Sequence, residues 1–133
     1  MGCDIHPHME LKINGKWFYV GEVAHGRNYN LFGHLSGVRG DDDKYFDTEY
    51  DGVYLPRDVS NDVSKEYEGW EGDAHTLTIV TFNGLIGFIE EREADLLDGL
   101  QKRHSSPHAW LKLMRKLIKF GVEDTRLIIW YDN

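Results

Sequence analysis

Four ionisable side chains alternate along the first predicted strand: Asp4, His6, His8 and Glu10, interleaved with Cys3, Ile5, Pro7, Met9 and Leu11. A strand sends successive side chains to opposite faces. One face therefore offers a core, and the other a row of two carboxylates and two imidazoles spaced about 7 Å apart. Such donors suit a divalent metal such as Zn, Mn or Mg. Asp4, His6, His8 and Glu10 are the local ligand candidates, with His75 or Asp132 completing the set from far along the chain. The chemistry would be hydrolytic: the cation lowers the pKa of a bound water, and His6 and His75 are the candidate catalytic imidazoles. The plainer alternative is a solvated polar face on an edge strand. Pro7 fits that alternative, because a residue with no ladder donor favours an edge or a bulge.

A second group could hold an anion. Arg27, Asn28 and Tyr29 are contiguous, and Arg39 follows a short predicted helix. Arginine suits bidentate contact with phosphate or carboxylate. The competing reading is salt bridging within an acidic chain. His25 and His34 flank Arg27 and read as surface polar residues. Asp41-Asp42-Asp43 lacks the spaced ligands of a calcium loop and reads as a solvated acidic turn. Cys3 reads as a small core residue. The run Asp4-Ile5-His6-Pro7-His8 resembles the opening strand of amidohydrolases and polymerase-associated phosphoesterase domains. That likeness covers one strand, and those folds are barrels far longer than this chain.

The elements that must position these residues follow from periodicity. Strand one runs from about Cys3 to Ile13, Asn14-Gly15 makes a two-residue hairpin turn, and strand two runs from Lys16 to about Val23. Leu31, Phe32 and Leu35 share helical spacing, with Gly37 as the C-terminal stop. Val38 to Pro56 reads as a long loop. Ser60 caps a short helix to about Tyr67. His75 to Thr81 is ambiguous between strand and helix start. From about Asn83 to Arg103 apolar residues recur at helical spacing, weakened by Gly84, Gly87 and Gly99. The last helix is capped at Ser106, carries Pro107 in its first turn and lines one face with Trp110, Leu113, Met114, Leu117 and Ile118. Thr125 to Asp132 is nearly all apolar and reads as a central strand buried on both faces, pairing with strand one or two. The expected fold is α+β: a small, mostly antiparallel sheet, made of the N-terminal hairpin and the C-terminal strand, packed against several helices.

The bulk numbers narrow the function class. The chain has 133 residues, 41% of them hydrophobic and 13% aromatic, enough for one domain with its own core. A net charge of −8 argues against broad contact with a nucleic-acid backbone and would suit a basic protein partner or a protein that imitates DNA. No apolar run approaches the roughly 18 residues of a membrane span. No secretory signal is expected, and His6 stands where a myristoylation sequence wants Ser or Thr. A single cysteine permits no internal disulfide and agrees with a cytoplasmic setting.

Across most of its length, in scattered islands, the chain resembles a family of small uncharacterised proteins of tailed phages and prophages. The islands are Met1-Gly2-Cys3-Asp4-Ile5-His6 with Glu10, then Arg27-Asn28-Tyr29, Leu31-Phe32, Gly37-Val38-Arg39, Leu55-Pro56, Asp58-Val59-Ser60, His75, and the close Tyr131-Asp132-Asn133. The resemblance implies a phage origin and the cytoplasm of an infected cell, and carries no established activity. Members follow the histidine with a Ser-Trp-Leu-Thr type of sequence; here it is Thr76-Leu77-Thr78, without the tryptophan. His8 is not part of that pattern, which ranks Asp4 and His6 above it. Three functions are expected to compete. The first is a metal-assisted hydrolase of a phosphate-containing small molecule. The second is a non-catalytic nucleotide-sequestering, anti-defence protein, and the third an acidic inhibitor of a host protein. The exposed edges of a short sheet would also allow a homodimer.

Overall fold

The computed structural model describes all residues except 1, 39–43, 47, 49–53, 71 and 97–105, and the backbone alone of 93–96. The elements run β1 (Asp4–Ile13), β2 (Lys16–Glu22), α1 (Tyr29–Ser36), α2 (Asn61–Glu68), β3 (His75–Thr81), α3 (Phe82–Leu96), α4 (Ser106–Phe120) and β4 (Asp124–Asp132). The four strands form one antiparallel sheet in the order β2-β1-β4-β3. The arrangement is the expected α+β one. The expectations for Arg39, for the Asp41–Asp43 turn and for the helical stretch around Leu97 to Arg103 lie outside the described residues.

Local chemistry explains most element boundaries. Asn14 and Gly15 both have positive φ, 51° and 74°, the demand of a tight I′ turn. Asn28 caps α1 by accepting the Leu31 N–H at 3.1 Å, and Gly37 ends it with φ 75°. The Ser60 hydroxyl accepts the Val63 N–H at 3.3 Å and opens α2. His75–Thr81 resolves as a strand, and α3 follows it at once. The glycines that weaken α3 leave room for neighbours: a Cβ on Gly87 would meet the Tyr45 hydroxyl at 2.5 Å.

β4 is the centre of the sheet. Thr125 to Tyr131 are all buried, because β1 and β3 flank the strand and both faces are covered. On one face Cys3, Ile5 and Met9 pack with Leu127, Ile129 and Tyr131 against α1, α3 and α4. On the other, Ile128 and Trp130 pack with Leu77 under Val63 of α2, with Leu55, Val59, Tyr67 and Trp70 around them.

Two expectations about β1 are corrected. It is an interior strand, so Pro7 does not sit on an edge. The missing N–H of Pro7 faces β2, where the ladder is ending: its carbonyl accepts the Val23 N–H at 3.0 Å, while its pairing with Ile129 of β4 continues. A register irregularity lies just beyond, between Met9 and Glu10. Nor is the Asp4-His6-His8-Glu10 face simply solvated. Toward its C-terminal half it lies under α2, and His8 and Glu10 are buried.

Candidate functional site

Register decides what each side chain of the ionisable row meets. Across β4, Asp4 faces Asp132, His6 faces Trp130, His8 faces Ile128 and Glu10 faces Arg126. Across β2, His8 faces Glu22. The row therefore has a closed end at Glu10 and an open end at Asp4.

At the closed end Glu10 is 0% exposed. One of its oxygens accepts the Arg126 Nε–H at 2.8 Å and lies 2.7 Å from Nη2 as an ion pair, without an aligned hydrogen bond to it. The other accepts the Ser60 N–H at 2.8 Å. Arg126 stacks 4.0 Å over the Trp17 ring and reaches Asp58 at 3.1 Å, and Asp58 also accepts the Trp17 indole N–H at 3.1 Å. Partial burial works against charging Asp58, but the Arg126 contacts outweigh it and hold the carboxyl below its ordinary pKa. Glu10, a candidate metal ligand by sequence, has both oxygens occupied by the fold.

His8 is the transition between the two ends. Its ring stacks on Trp130 with centroids 4.3 Å apart, and Nδ1 lies 2.9 Å from the Tyr19 hydroxyl. Burial pushes its pKa down to about 4, only partly opposed by the charge of Glu22. His8 is therefore a neutral imidazole at neutral pH.

The open end gathers more groups than the sequence row contained. Glu22 leaves the end of β2 and sits among three imidazoles: 3.6 Å from His6 Nδ1, 3.7 Å from His8 Nε2 and 3.2 Å from His25 Nε2. His6 also faces Asp132, with Nε2 3.5 Å from Oδ1, and its ring lies 4.3 Å from that of Trp70. His6 Nε2 is buried without an aligned hydrogen bond. One step along the same face, Asp4 makes a two-point pair with Arg27, Nε to Oδ1 at 3.0 Å and Nη2 to Oδ2 at 3.1 Å. This pair is 49% and 50% exposed. Its hydrogen bonding raises the Arg27 pKa further. The guanidinium lies so close over Gly2 that a Cβ there would clash at 2.3 Å. A side chain at position 2 would displace it.

Other sequence candidates divide as follows. Asp132 lies beside His6. His75 does not: it pairs with Tyr131, stacks near that ring at 6.2 Å, and therefore lies on the opposite sheet face from His6. Its Nδ1 meets the Thr76 hydroxyl at 2.8 Å. Asn28 is tied up as a helix cap, and the Tyr29 hydroxyl accepts the Cys3 N–H at 3.2 Å. Glu22, Arg126 and Trp70 were absent from the sequence candidates, and His25 read as a surface residue. The only sequence signal for the Glu22–His25 pair was its three-residue spacing just past a strand.

Among the described residues, no three His, Cys, Asp or Glu side chains stand where one metal ion could be held. Glu22 itself fills the centre that the three imidazoles surround. Among those residues, too, no helix is long and apolar enough to cross a membrane. Comparison with protein-family profiles, with curated proteins and with solved structures finds no match to this chain.

Proposed function

We propose that the open end is an acid–base site hydrolysing a small anionic ester of the phosphate class, with His6 as proton acceptor. The carrying observation is the position of His6, its side chain 14% exposed, between Glu22 and Asp132. Flanking carboxylates orient an imidazole by accepting its ring N–H. In the proposed step a water oxygen bonds to phosphorus, the ester P–O bond breaks, His6 takes the proton of the water, and the leaving oxygen is protonated from solvent. Arg27 would exchange Asp4 for the anionic group of the substrate, a planar two-point contact for which guanidinium is suited. A divalent ion would enter only if Glu22 turned from between the imidazoles, so this reading runs proton transfer through His6. In this setting the resemblance to phage proteins would place the substrate in an infected cell.

The test is a panel of phosphomonoesters and phosphodiesters, assayed with and without a chelator. Turnover should persist in chelator and fall by roughly 10²–10⁴ in His6→Gln, the usual worth of a positioned acid–base group. Absence of turnover across the panel, or equal turnover in His6→Gln, overturns the proposal. Loss of turnover in chelator alone would return the ion to the mechanism.

A second reading, an acidic inhibitor of a host protein, has one observation in its favour. β2 is an edge strand, and Phe18 and Val20 on it are 46% and 38% exposed. Exposed apolar side chains on an unpaired edge suit strand addition by a partner. That reading expects a strongly salt-sensitive complex, weakened by Phe18→Asp.

A further inference from the structure

At the opposite edge of the sheet from Glu22, the chain before α2 passes beside β3 and leaves a groove of about 530 Å³. Its lining is Tyr54, Leu55, Pro56, Arg57, Leu77 and Ile79. Of these described residues, five present apolar or aromatic surface and Arg57 is the one that is charged. Leu77 and Ile79 project from β3 on the face covered by α2, with Leu77 buried in the smaller core. Tyr54 is 74% exposed, an unusual state for a large aromatic ring flanking an apolar groove. The volume falls within the usual range for small-molecule sites, roughly 300–1,000 Å³.

We propose that this groove binds a small amphipathic anion, an acyl chain ending in a carboxylate, with the chain along Leu55, Pro56, Leu77 and Ile79 and the carboxylate on Arg57. The walls argue the class. A sugar or nucleotide would lose its water to surfaces that return almost no hydrogen bonds, a costly transfer. An acyl chain loses none, and its burial is favourable. The charge argues the head group. The chain carries a net charge of −8, so a carboxylate is repelled generally and is drawn only to a local cation. A guanidinium at the groove supplies it with paired donors. The site is independent of the His6 cluster, and no residue is shared between them.

The probe is decanoate below its aggregation concentration, titrated calorimetrically into the full chain, with decanol as the uncharged control. Saturable one-to-one binding is expected. Removal of the charge-assisted contact in Arg57→Gln should weaken decanoate about tenfold or more while leaving decanol unchanged. Ile79→Glu, which puts a like charge in the groove, should abolish decanoate binding. If Ile79→Glu fails to fold, the exposed Arg57→Gln variant still decides. No saturable binding of decanoate, or equal affinity of wild type and Arg57→Gln, overturns the proposal.

Discussion

The two ends of one strand face teach different lessons. At Glu10 and Arg126 opposite charges are buried together, joined at 2.7 Å and backed by Ser60, Asp58 and Trp17. At Asp4 and Arg27, six residues up the same face, an equally well-made pair lies half exposed. The chemistry is alike, and the surroundings differ. A buried pair binds the fold strongly to both of its members, because losing one strands the other away from water. An exposed pair is screened and replaceable, so its groups stay available to a ligand. The closed end is structural, and the open end is where a site can work.

That contrast can be broken by mutation. The largest effect should come from Arg126→Met, which leaves the Glu10 carboxylate buried and alone; about 3–5 kcal/mol of stability should be lost in urea unfolding. Glu10→Leu added to it should recover a large part. Next comes acid. The unfolded His8 imidazole takes its proton near pH 6.5 and the folded one only near 4. Between these values the unfolded chain binds more protons, so stability falls as pH drops from about 6.5 toward 4. The sum is up to about 3 kcal/mol, and His8→Asn should flatten that slope. Asn28→Ala, which removes the α1 cap, should cost about 1 kcal/mol by thermal unfolding. The smallest effect is expected for Arg27→Ala: its unfolding midpoint should match wild type, and any loss should appear in turnover instead.

The sequence disclosed local features well and long-range ones poorly. Asn14-Gly15, the Ser60 cap, the Gly37 stop and the apolar run of β4 are all short-range signals, and each stands where it was expected. The alternation of β1 also divided its residues correctly between two faces. What alternation does not reveal is what covers each face. Val63, Tyr67 and Trp70 come from a short helix and the turn after it, and nothing in their spacing says that they pack over Ile128 and Trp130, with Trp70 against His6. Register carries the same limit. Arg126 meets Glu10 from 116 positions away. One residue of register separates Trp130, opposite His6, from Tyr131, opposite His75, and that single step puts the two histidines on opposite sides of the sheet. Glu22 escaped notice because its role depends on where β2 ends.

The most direct test sets function against stability at one residue. His6→Gln should be assayed for phosphoester turnover and for urea unfolding beside Arg126→Met. The account predicts that His6→Gln loses turnover while unfolding close to wild type, and that Arg126→Met unfolds far earlier. A His6→Gln protein destabilised as much as Arg126→Met, with turnover per folded molecule unchanged, would contradict it.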